Sequence, residues 1–322
     1  MLSILPLYQP MQSLIQTFTV PIEIRALKTA NIYRIESDDS AFLIDSGMSD
    51  NSIRSIEQSL HRIDFAFVTH LHIDHLGGVL YMHQKYGIPA YMNPLDYDLI
   101  MKANEDREGY IRRHADIFRI NGVPEAMVND IITMHPIIRY FDYYSKLDFI
   151  QDYHKLKVQE LEFVEVPGHS PGSTAVYIHE SHDLFSGDHI LDRITPNISV
   201  YGDEDDLGNY LMSLEKIKQM KVERIFPGHG NVITEPRLRI EEIERHHQER
   251  MHAMISVLKT PKTAYEVARE ISWSKGRKMD TMNFMERNFA ILETVSHLRH
   301  MDRIGTIESK NEGDIIKYLY RE

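Results

Sequence analysis

The chain of 322 residues contains no cysteine. Disulfide bonds and thiolate metal ligands are therefore excluded together, and His, Asp and Glu remain as the side chains that can bind a metal ion. No apolar run approaches the roughly 20 residues that span a bilayer, so we expect no membrane partner. Residues 1–6 lack the basic start and small-residue cleavage site of a secretory signal, and we therefore expect a cytoplasmic protein.

Positive charge is scarce, because 36 Lys and Arg face 48 Asp and Glu for a net charge of −12. The acidic excess lies in residues 1–235, which carry 20 basic and 34 acidic residues, whereas residues 236–322 carry 16 and 14. An acidic main part repels a polyanion such as nucleic acid unless a basic patch or bound metal ions offset its charge. A small-molecule substrate is therefore favoured over nucleic acid.

Histidine is abundant, with 18 residues, and it is concentrated at one place. His70, His72, Asp74 and His75 follow directly after the apolar run at residues 65–68. We predict a buried strand at 64–69 that holds these four side chains at its end, where a rigid scaffold suits a metal site. The alternative is a solvated histidine-rich loop, and the tight spacing of the four favours the metal site.

Three more residues of the same kind come directly after predicted strands further along the chain. They are His169, Asp188 and His229, and a glycine precedes each of them. Glycine at these positions suits a tight turn with close backbone approach.

Together these side chains are more numerous than one ion requires. Seven N and O ligands exceed the four positions of a tetrahedral Zn²⁺, which favours two ions with about three protein ligands each and a carboxylate between them. Such a pair can share a hydroxide at neutral pH and polarise a substrate, which is hydrolytic chemistry. The candidate ligands are His70, His72, Asp74, His75, His169, Asp188 and His229.

Strands and helices alternate through most of residues 1–235, the pattern of an α/β protein. Besides 64–69, strands are predicted at 21–25, 31–35, 41–45, 161–166, 175–178, 184–186 and 224–226, and helices at 51–63, 76–86 and 204–220. Residues 95–150 lack strand alternation and glycine turns, so we predict an insertion of two to four helices that forms a lid. Its many aromatic residues form either a satellite core or a substrate-facing wall.

Residues 236–322 differ again and are predicted to form a separate domain. A long helix at 236–258 precedes short helices at 263–271 and 289–301 and a two-stranded hairpin at 304–319, the order of a winged-helix module. Among basic residues the helix at 289–301 offers only Arg299, which disfavours nucleic-acid contact. Homodimerisation or packing over the active-site rim is therefore the favoured role.

The histidine cluster also carries a family resemblance. Residues 69–78 resemble the His-x-His-x-Asp-His signature of the metallo-β-lactamase superfamily, and His169, Asp188 and His229 follow in the order that family uses. Asp45 matches an early aspartate of the family that supports the ligands. The resemblance covers about 1–235 apart from the insertion. It implies a four-layer αβ/βα sandwich with a two-metal site at one edge, extended here by the helical insertion and the winged-helix-like domain.

The resemblance also implies a role for each ligand. His70, His72 and His169 would bind the first ion and Asp74, His75 and His229 the second, with Asp188 bridging. Asp74 and Asp188 are then the candidate catalytic residues. The cofactors would be two divalent ions, with Zn²⁺ favoured and Mn²⁺ or Fe also compatible with these ligands.

The function implied is hydrolysis by a bridging hydroxide that attacks an ester-like carbonyl, with a thioester or lactone as substrate. A true β-lactamase is disfavoured because the chain has no cysteine, and Leu191 stands where the lactonases of the family have a tyrosine. One alternative is a metal-dependent phosphodiesterase or endoribonuclease, since the appended winged helix also resembles an endoribonuclease group. Another is a regulatory protein whose winged helix binds DNA.

Overall fold

The computed structural model describes residues 14–24, 27–36, 40–134, 136–158 and 161–320. A six-stranded sheet in the order β1-β2-β3-β4-β5-β6 forms the first half of the core. Strands β1 to β3 are antiparallel, and β3 to β6 are parallel. The strands are β1 Leu14–Pro21, β2 Thr29–Glu36, β3 Ala41–Ile44, β4 Phe65–Phe67, β5 Ala90–Met92 and β6 Gln151–Asp152.

A second sheet of four strands in the order β10-β9-β8-β7 packs against the first. An aromatic layer joins the two sheets, since the Tyr33 ring of the first sheet lies edge-on to Phe185 of the second at 5.0 Å between ring centres. Side chains from two inner faces fill one core in this way. The strands are β7 Leu161–Glu165, β8 Thr174–Ile178, β9 Asp183–Gly187 and β10 Arg224–Pro227.

Helices cover the outer face of each sheet. Ile53 and Val79 pack on Leu43 of the first sheet, and Tyr210 and Ile243 pack on the second. The result is helix, sheet, sheet and helix in four layers, which confirms the predicted fold class. The helices are α1 Asp50–Ser55, α2 Ile73–Leu76 and α3 Val79–Tyr86 on the first sheet, and α8 Asp206–Gln219 and α9 Pro236–Val257 on the second.

The insertion between β5 and β6 folds into four helices, the upper end of the predicted number. They are α4 Pro94–Glu105, α5 Arg107–Ile120, α6 Glu125–Met134 and α7 Pro136–Tyr144. Asn93 caps the first of them by accepting a hydrogen bond from Leu95 N at 3.0 Å, and Pro94 occupies the first helical position, where its missing N–H costs nothing. These helices contribute to two hydrophobic cores, one of them shared with the C-terminal region.

The C-terminal region follows the predicted order of helices and a hairpin. Its elements after α9 are α10 Ala264–Glu270, α11 Phe284–Arg303, β11 Ile307–Glu312 and β12 Ile315–Tyr320. Phe118 and Ile131 of the insertion lie in the same buried cluster as Leu258, Val267 and Leu298 of this region. The C-terminal elements therefore pack directly on the insertion, while the winged-helix class and the division at residues 235 and 236 stay predictions.

Three predicted elements differ from the structure. The strand at 21–25 is wrong, because residues 22–24 belong to the turn between β1 and β2, where Ile22 N donates to Lys28 O at 2.9 Å; Arg25 lies outside the described residues, as do residues 1–6. The helix at 51–63 ends early, since the chain turns back toward β4 through Arg62, whose φ is 62°. The helix at 76–86 is α3 alone, because a separate turn, α2, precedes it.

None of the helices in the described ranges is long and apolar enough to cross a membrane.

Candidate metal centre

All seven predicted ligands meet at one edge of the sandwich. Four of them follow the end of β4, in the segment after Thr69. The other three, His169, Asp188 and His229, follow the ends of β7, β9 and β10. Their ligand atoms form three groups, each with atoms within 4.8 Å of one another. The groups are His70, His72 and His169; His70, His75 and Asp188; and Asp74, His75 and His229.

Glycine makes this convergence sterically possible. Gly187 has a φ of 51°, in the left-handed region that glycine adopts readily, and it turns the chain so that Asp188 enters the site. A Cβ on Gly228 would overlap the side chains of Asp188 and His75. The glycines expected before the ligands therefore allow both a turn and a close approach.

The first group is built from three imidazoles whose outward nitrogens are occupied. His70 Nδ1 lies 3.0 Å from Thr69 Oγ1, and because that hydroxyl donates its own proton to Asp45, it accepts a hydrogen bond from His70 Nδ1–H. His169 Nδ1 donates to the carbonyl oxygen of Asn197 at 3.0 Å. Such partners fix the tautomer, so His70 and His169 each turn an unprotonated Nε2 inward.

The inward nitrogens of this group face one another at hydrogen-bonding distance, but one imidazole proton cannot serve both contacts. His72 Nδ1 lies 3.0 Å from His70 Nε2 and 3.0 Å from His169 Nε2. His70 and His169 carry their protons on the outward side, so both Nε2 lone pairs point at His72 Nδ1, which carries at most one proton. A cation among the three nitrogens would satisfy all of them, and the three imidazoles suit a divalent metal ion.

The other two groups share His75, and we call Asp74, His75, Asp188 and His229 together the second group, which combines two imidazoles and two carboxylates. His75 Nδ1 donates to Asp45 Oδ2 at 2.7 Å and His229 Nδ1 to Thr29 O at 2.6 Å, which leaves both Nε2 atoms facing inward. Asp188 Oδ1 lies 3.3 Å from His75 Nε2 and 3.4 Å from His229 Nε2. These three inward atoms are buried and have no hydrogen-bond partner within the described chain, as expected of atoms that bind an ion.

Asp188 lies between the two groups. Its Oδ1 faces His75 and His229, and its Oδ2 lies 3.8 Å from His169 Nε2 of the first group. Asp74 Oδ2 lies 3.3 Å from His229 Nε2. The arrangement matches the predicted bridging position of Asp188, whereas the binding of metal by these residues stays a prediction.

The two groups differ in their electrostatics. Burial lowers the pKa of His72 to about 3 and the pKa of His70 well below its usual value. Both rings are therefore uncharged at neutral pH, the state in which an imidazole binds a metal ion. Burial also opposes the charged form of His229, but Asp188 and Asp74 outweigh it and raise its pKa to about 10. The carboxylates that favour a protonated imidazole there favour a metal cation for the same reason.

Two aspartates support the loops that carry the ligands, and the sequence indicated only the first of them. Asp45, expected to support the ligand loop, accepts from Thr69 N at 2.8 Å as well as from His75. Asp96 was assigned only to the insertion, yet its buried carboxylate accepts from Leu71 N at 2.8 Å, from Ser170 Oγ and from Gly172 N at 2.6 Å. It ties together the loops that carry His70, His72 and His169. The sequence around Asp96 carries no local signal of this role, because an acidic residue in the first turn of a helix is common.

Two further residues lie near the site. Tyr201 places its hydroxyl 3.0 Å from His72 Nε2. His189 is buried with its ring edge-on to Tyr210 at 4.9 Å, and burial lowers its pKa to about 3. His189 therefore packs beside the site and belongs to none of the ligand groups found among the described residues.

These geometric features agree with the comparison of the chain with known families. Residues 26–229 match the family described as the metallo-beta-lactamase superfamily. The chain therefore belongs to the metallo-beta-lactamase superfamily, whose fold implies divalent metal ions and a hydrolytic enzyme.

Relatives are found in animals and fungi. The chain is 30% identical to a Beta-lactamase-like protein 2 homolog of Drosophila melanogaster over 70% of its own length and 66% of that protein. Identity to the homolog of the same name in Caenorhabditis elegans is 27%, over 72% of this chain and 66% of that one. The atrochrysone carboxyl ACP thioesterase of Aspergillus fumigatus is 23% identical, over 72% of this chain and 60% of that enzyme. The chain thus spans just under two thirds of these relatives.

Solved structures share the fold over nearly the full length. A metallo-beta-lactamase family protein of Thermus thermophilus superposes with a TM-score of 0.76 over 95% of this chain and 98% of that one, at 22% identity. A beta-lactamase domain protein of Burkholderia ambifaria gives 0.74 over 95% and 92%, at 21% identity.

Proposed function

We propose that the chain is a dinuclear metal-dependent hydrolase of small-molecule thioesters, with lactones as related substrates. The observation that carries the proposal is the pair of facing ligand groups, with Asp188 between them and with buried inward atoms that lack hydrogen-bond partners among the described residues. When two divalent ions are bound, they lower the pKa of water into the neutral range and polarise the substrate carbonyl.

The residues of the chain supply orientation and proton handling. Outward partners on His70, His75, His169 and His229 hold each ring with one lone pair inward. Asp188 turns one oxygen toward each group, and Asp74, the other central carboxylate, is the group that we expect to take up the proton released by the attacking water.

The inserted helices enclose the site on one side. Tyr143 of α7 donates to Leu76 O at 2.8 Å, which fixes α7 over the short helix that carries Asp74 and His75. Burial, reinforced by the nearby charges of groups that include Asp74, raises the pKa of Tyr144, so that hydroxyl stays protonated beside the ligands. An aromatic wall of this kind excludes water and suits an uncharged acyl group.

Charge also favours a neutral carbonyl over a phosphodiester. Among the described residues, no Lys or Arg side chain forms a hydrogen bond or ion pair with any of the seven candidate ligands. Residues 1–235 carry the whole acidic excess of the chain. A polyanionic substrate would meet repulsion on approach. The thioesterase name of one relative, which acts on an acyl carrier protein thioester by that name, points to the same class.

A substrate panel tests this proposal. Purified protein should hydrolyse acyl thioesters in the presence of Zn²⁺, Mn²⁺ or Fe²⁺, and both a chelator and the Asp188→Ala substitution should abolish the turnover. Cleavage of single-stranded RNA without any thioester or lactone turnover would contradict the proposal and favour the phosphodiesterase alternative.

A further inference from the structure

Tyr201 has a contact that links the candidate metal centre to the surrounding structure. Its hydroxyl lies 3.0 Å from His72 Nε2. When His72 Nδ1 binds an ion together with His70 and His169, the proton of the neutral ring resides on Nε2 and is donated to the Tyr201 oxygen. Tyr201 therefore binds the outward nitrogen of His72. Thr69 does the same for His70, and Asn197 for His169.

Tyr201 lies between Val200, which is buried in the core shared with the C-terminal region, and the tip of a surface loop. Residues 202–204 are exposed, and a Cβ on Gly202 would meet no atom within 4 Å. Tyr201 N donates to Asp206 at 3.3 Å, at the start of α8. The tip of the loop is thus not fixed by burial in a core, and other contacts must hold it.

Those contacts come from the end of helix α11 in the C-terminal region. Arg299 Nη1 donates to Gly202 O at 2.6 Å, and Arg303 donates to Asp203 O. His300 Nδ1 lies 2.9 Å from Asp205 Oδ2. Three side chains near the end of one helix therefore contact three points of the loop, and we call Arg299, His300 and Arg303 the clamp.

We propose that Tyr201 is a positioning residue for His72 and that the clamp on α11 holds it in place, so that the C-terminal region is part of the working metal site. The inference rests on the proposed metal function of His72. An imidazole with no partner on its outward nitrogen can rotate and present either nitrogen, and the tyrosine prevents this. The C-terminal region thereby gains a role that requires neither DNA nor a partner protein.

The clamp can be removed without removing much stability. Its hydrogen bonds lie at the protein surface, where such bonds contribute only about 1 kcal/mol or less. Loss of the clamp therefore frees the loop while the core of the molecule stays folded. If the clamp is purely structural, its removal should lower the melting temperature and leave the metal affinity unchanged. If the clamp positions Tyr201, its removal should lower the metal affinity and leave the melting temperature nearly unchanged.

Metal affinity measured by competition with a chromophoric chelator tests the inference on the full chain, using Zn²⁺ as the probe. Tyr201→Phe removes only the hydroxyl, and we expect the affinity for the ion at His70, His72 and His169 to fall by about 10- to 100-fold. Arg299→Ala/Arg303→Ala should change the affinity in the same direction with a similar melting temperature. The absorption spectrum of the Co²⁺-loaded protein should change in both variants.

Combining the substitutions separates a shared mechanism from two independent effects. If the clamp acts through Tyr201, the triple variant should bind Zn²⁺ no more weakly than Tyr201→Phe alone. The matched control is Arg277→Ala/Arg287→Ala, which removes the same charge within the C-terminal region, where Arg277 pairs with Glu286 and Arg287 donates to Met282 O. It should keep wild-type affinity.

Several results would overturn the inference. These are wild-type affinity in Tyr201→Phe or in the clamp variant, losses that multiply in the triple variant, or an equal loss in the control. The single substitution Arg299→Ala repeats the test if the double variant folds poorly. Failure of the protein to hydrolyse any thioester would count against the proposed function alone, because the Zn²⁺ titration reads the position of His72 independently of substrate.

Discussion

At the scale of single residues, Gly228 decides whether two ligands can approach each other. A Cβ at this position would overlap Asp188 and the ring of His75. We predict that Gly228→Ala displaces one of them by several tenths of an ångström or more and lowers kcat/KM by about 100-fold, since misplacements near 1 Å can have that effect. Steady-state kinetics on the best thioester substrate measures it.

The control for Gly228 is a glycine whose replacement costs stability alone. Gly276 has a φ of 70°, and a Cβ added there would meet no atom within 4 Å, so Gly276→Ala strains the backbone without touching the site. It should lower the melting temperature and leave kcat/KM unchanged. Equal kinetic losses in both variants would contradict the steric account of Gly228.

Asp45 supports the site through hydrogen bonds and provides a second test at this scale. Its carboxylate accepts from Thr69 N and from His75 Nδ1, and an amide in its place would turn a donor toward one of them. Asp45→Asn should weaken metal binding by about 10- to 100-fold. Asp64→Asn is the matched control, because Asp64 accepts a hydrogen bond from the backbone N–H of Ala41, away from the site. Isothermal titration with Zn²⁺ on both variants checks this.

The sequence allowed the candidate ligands to be predicted, but not all of the residues that support them. The seven candidates could be proposed because their spacing after apolar runs is local information. Asp96 and Tyr201 could not, because their contacts depend on where the insertion and a long loop come to lie in the fold. Neither position has a local pattern that distinguishes it from core or surface residues.

At the scale of elements, helices α9 and α11 meet through a buried pair of histidines. His247 Nδ1 lies 3.0 Å from His297 Nε2, and His297 Nδ1 donates to Glu293 O at 2.7 Å. Burial and nearby positive charge, including Arg250, hold the pKa of His247 well below its usual value, and burial lowers the pKa of His297 to about 3. Both rings are therefore neutral when the protein is folded.

This pair makes the contact between the helices sensitive to acid. Because the folded pKa lies below the unfolded value, the unfolded chain binds more protons as the pH falls through about 6.5, and stability is lost there. Each such histidine should cost about 1.4 kcal/mol of unfolding free energy between pH 7.5 and 5.5.

Urea denaturation at the two pH values measures the effect. His247→Gln should reduce the pH-dependent loss by about that amount, about 1.4 kcal/mol. His252→Gln, on the exposed side of the same helix, should leave the loss as in the wild type. If the loss in His247→Gln equals that of the wild type, the pair is not the source of the acid sensitivity.

Element types were easier to predict than element ends. Helices α8, α9 and α11 and strands β7 to β10 were found because their apolar periodicity extends through well-defined spans. The strand predicted at 21–25 failed because Ile22 and Ile24 alternate like strand residues although the chain turns there to pair β1 with β2. The pairing of β1 with β2 therefore decided the structure of this segment, and the local alternation of apolar residues did not.

At the scale of the whole molecule, the C-terminal region and the insertion share one hydrophobic core. Phe118, Val128 and Ile131 of the insertion are buried together with Val267 and Leu298. This shared core could not be read from the sequence, because it joins segments more than 100 positions apart. It also changes what is expected of the predicted boundary at residue 235.

We predict that a fragment of residues 1–235 does not fold cooperatively. Exposing three large apolar side chains of the insertion costs about 1.5–3 kcal/mol each, which is comparable to the 5–15 kcal/mol by which domains are typically stable. Thermal denaturation followed by circular dichroism should show a broad transition or aggregation, in contrast to the full chain. A sharp, reversible transition of the fragment near that of the full chain would contradict the shared core.

The central claim is that seven side chains from distant parts of the chain bind two divalent cations. Elemental analysis of protein saturated with Zn²⁺ and freed of excess metal tests it most directly. The structure leads us to expect two equivalents per chain, and one equivalent in a variant with His70, His72 and His169 all replaced by alanine. A wild-type protein that retains one equivalent or none would contradict the account.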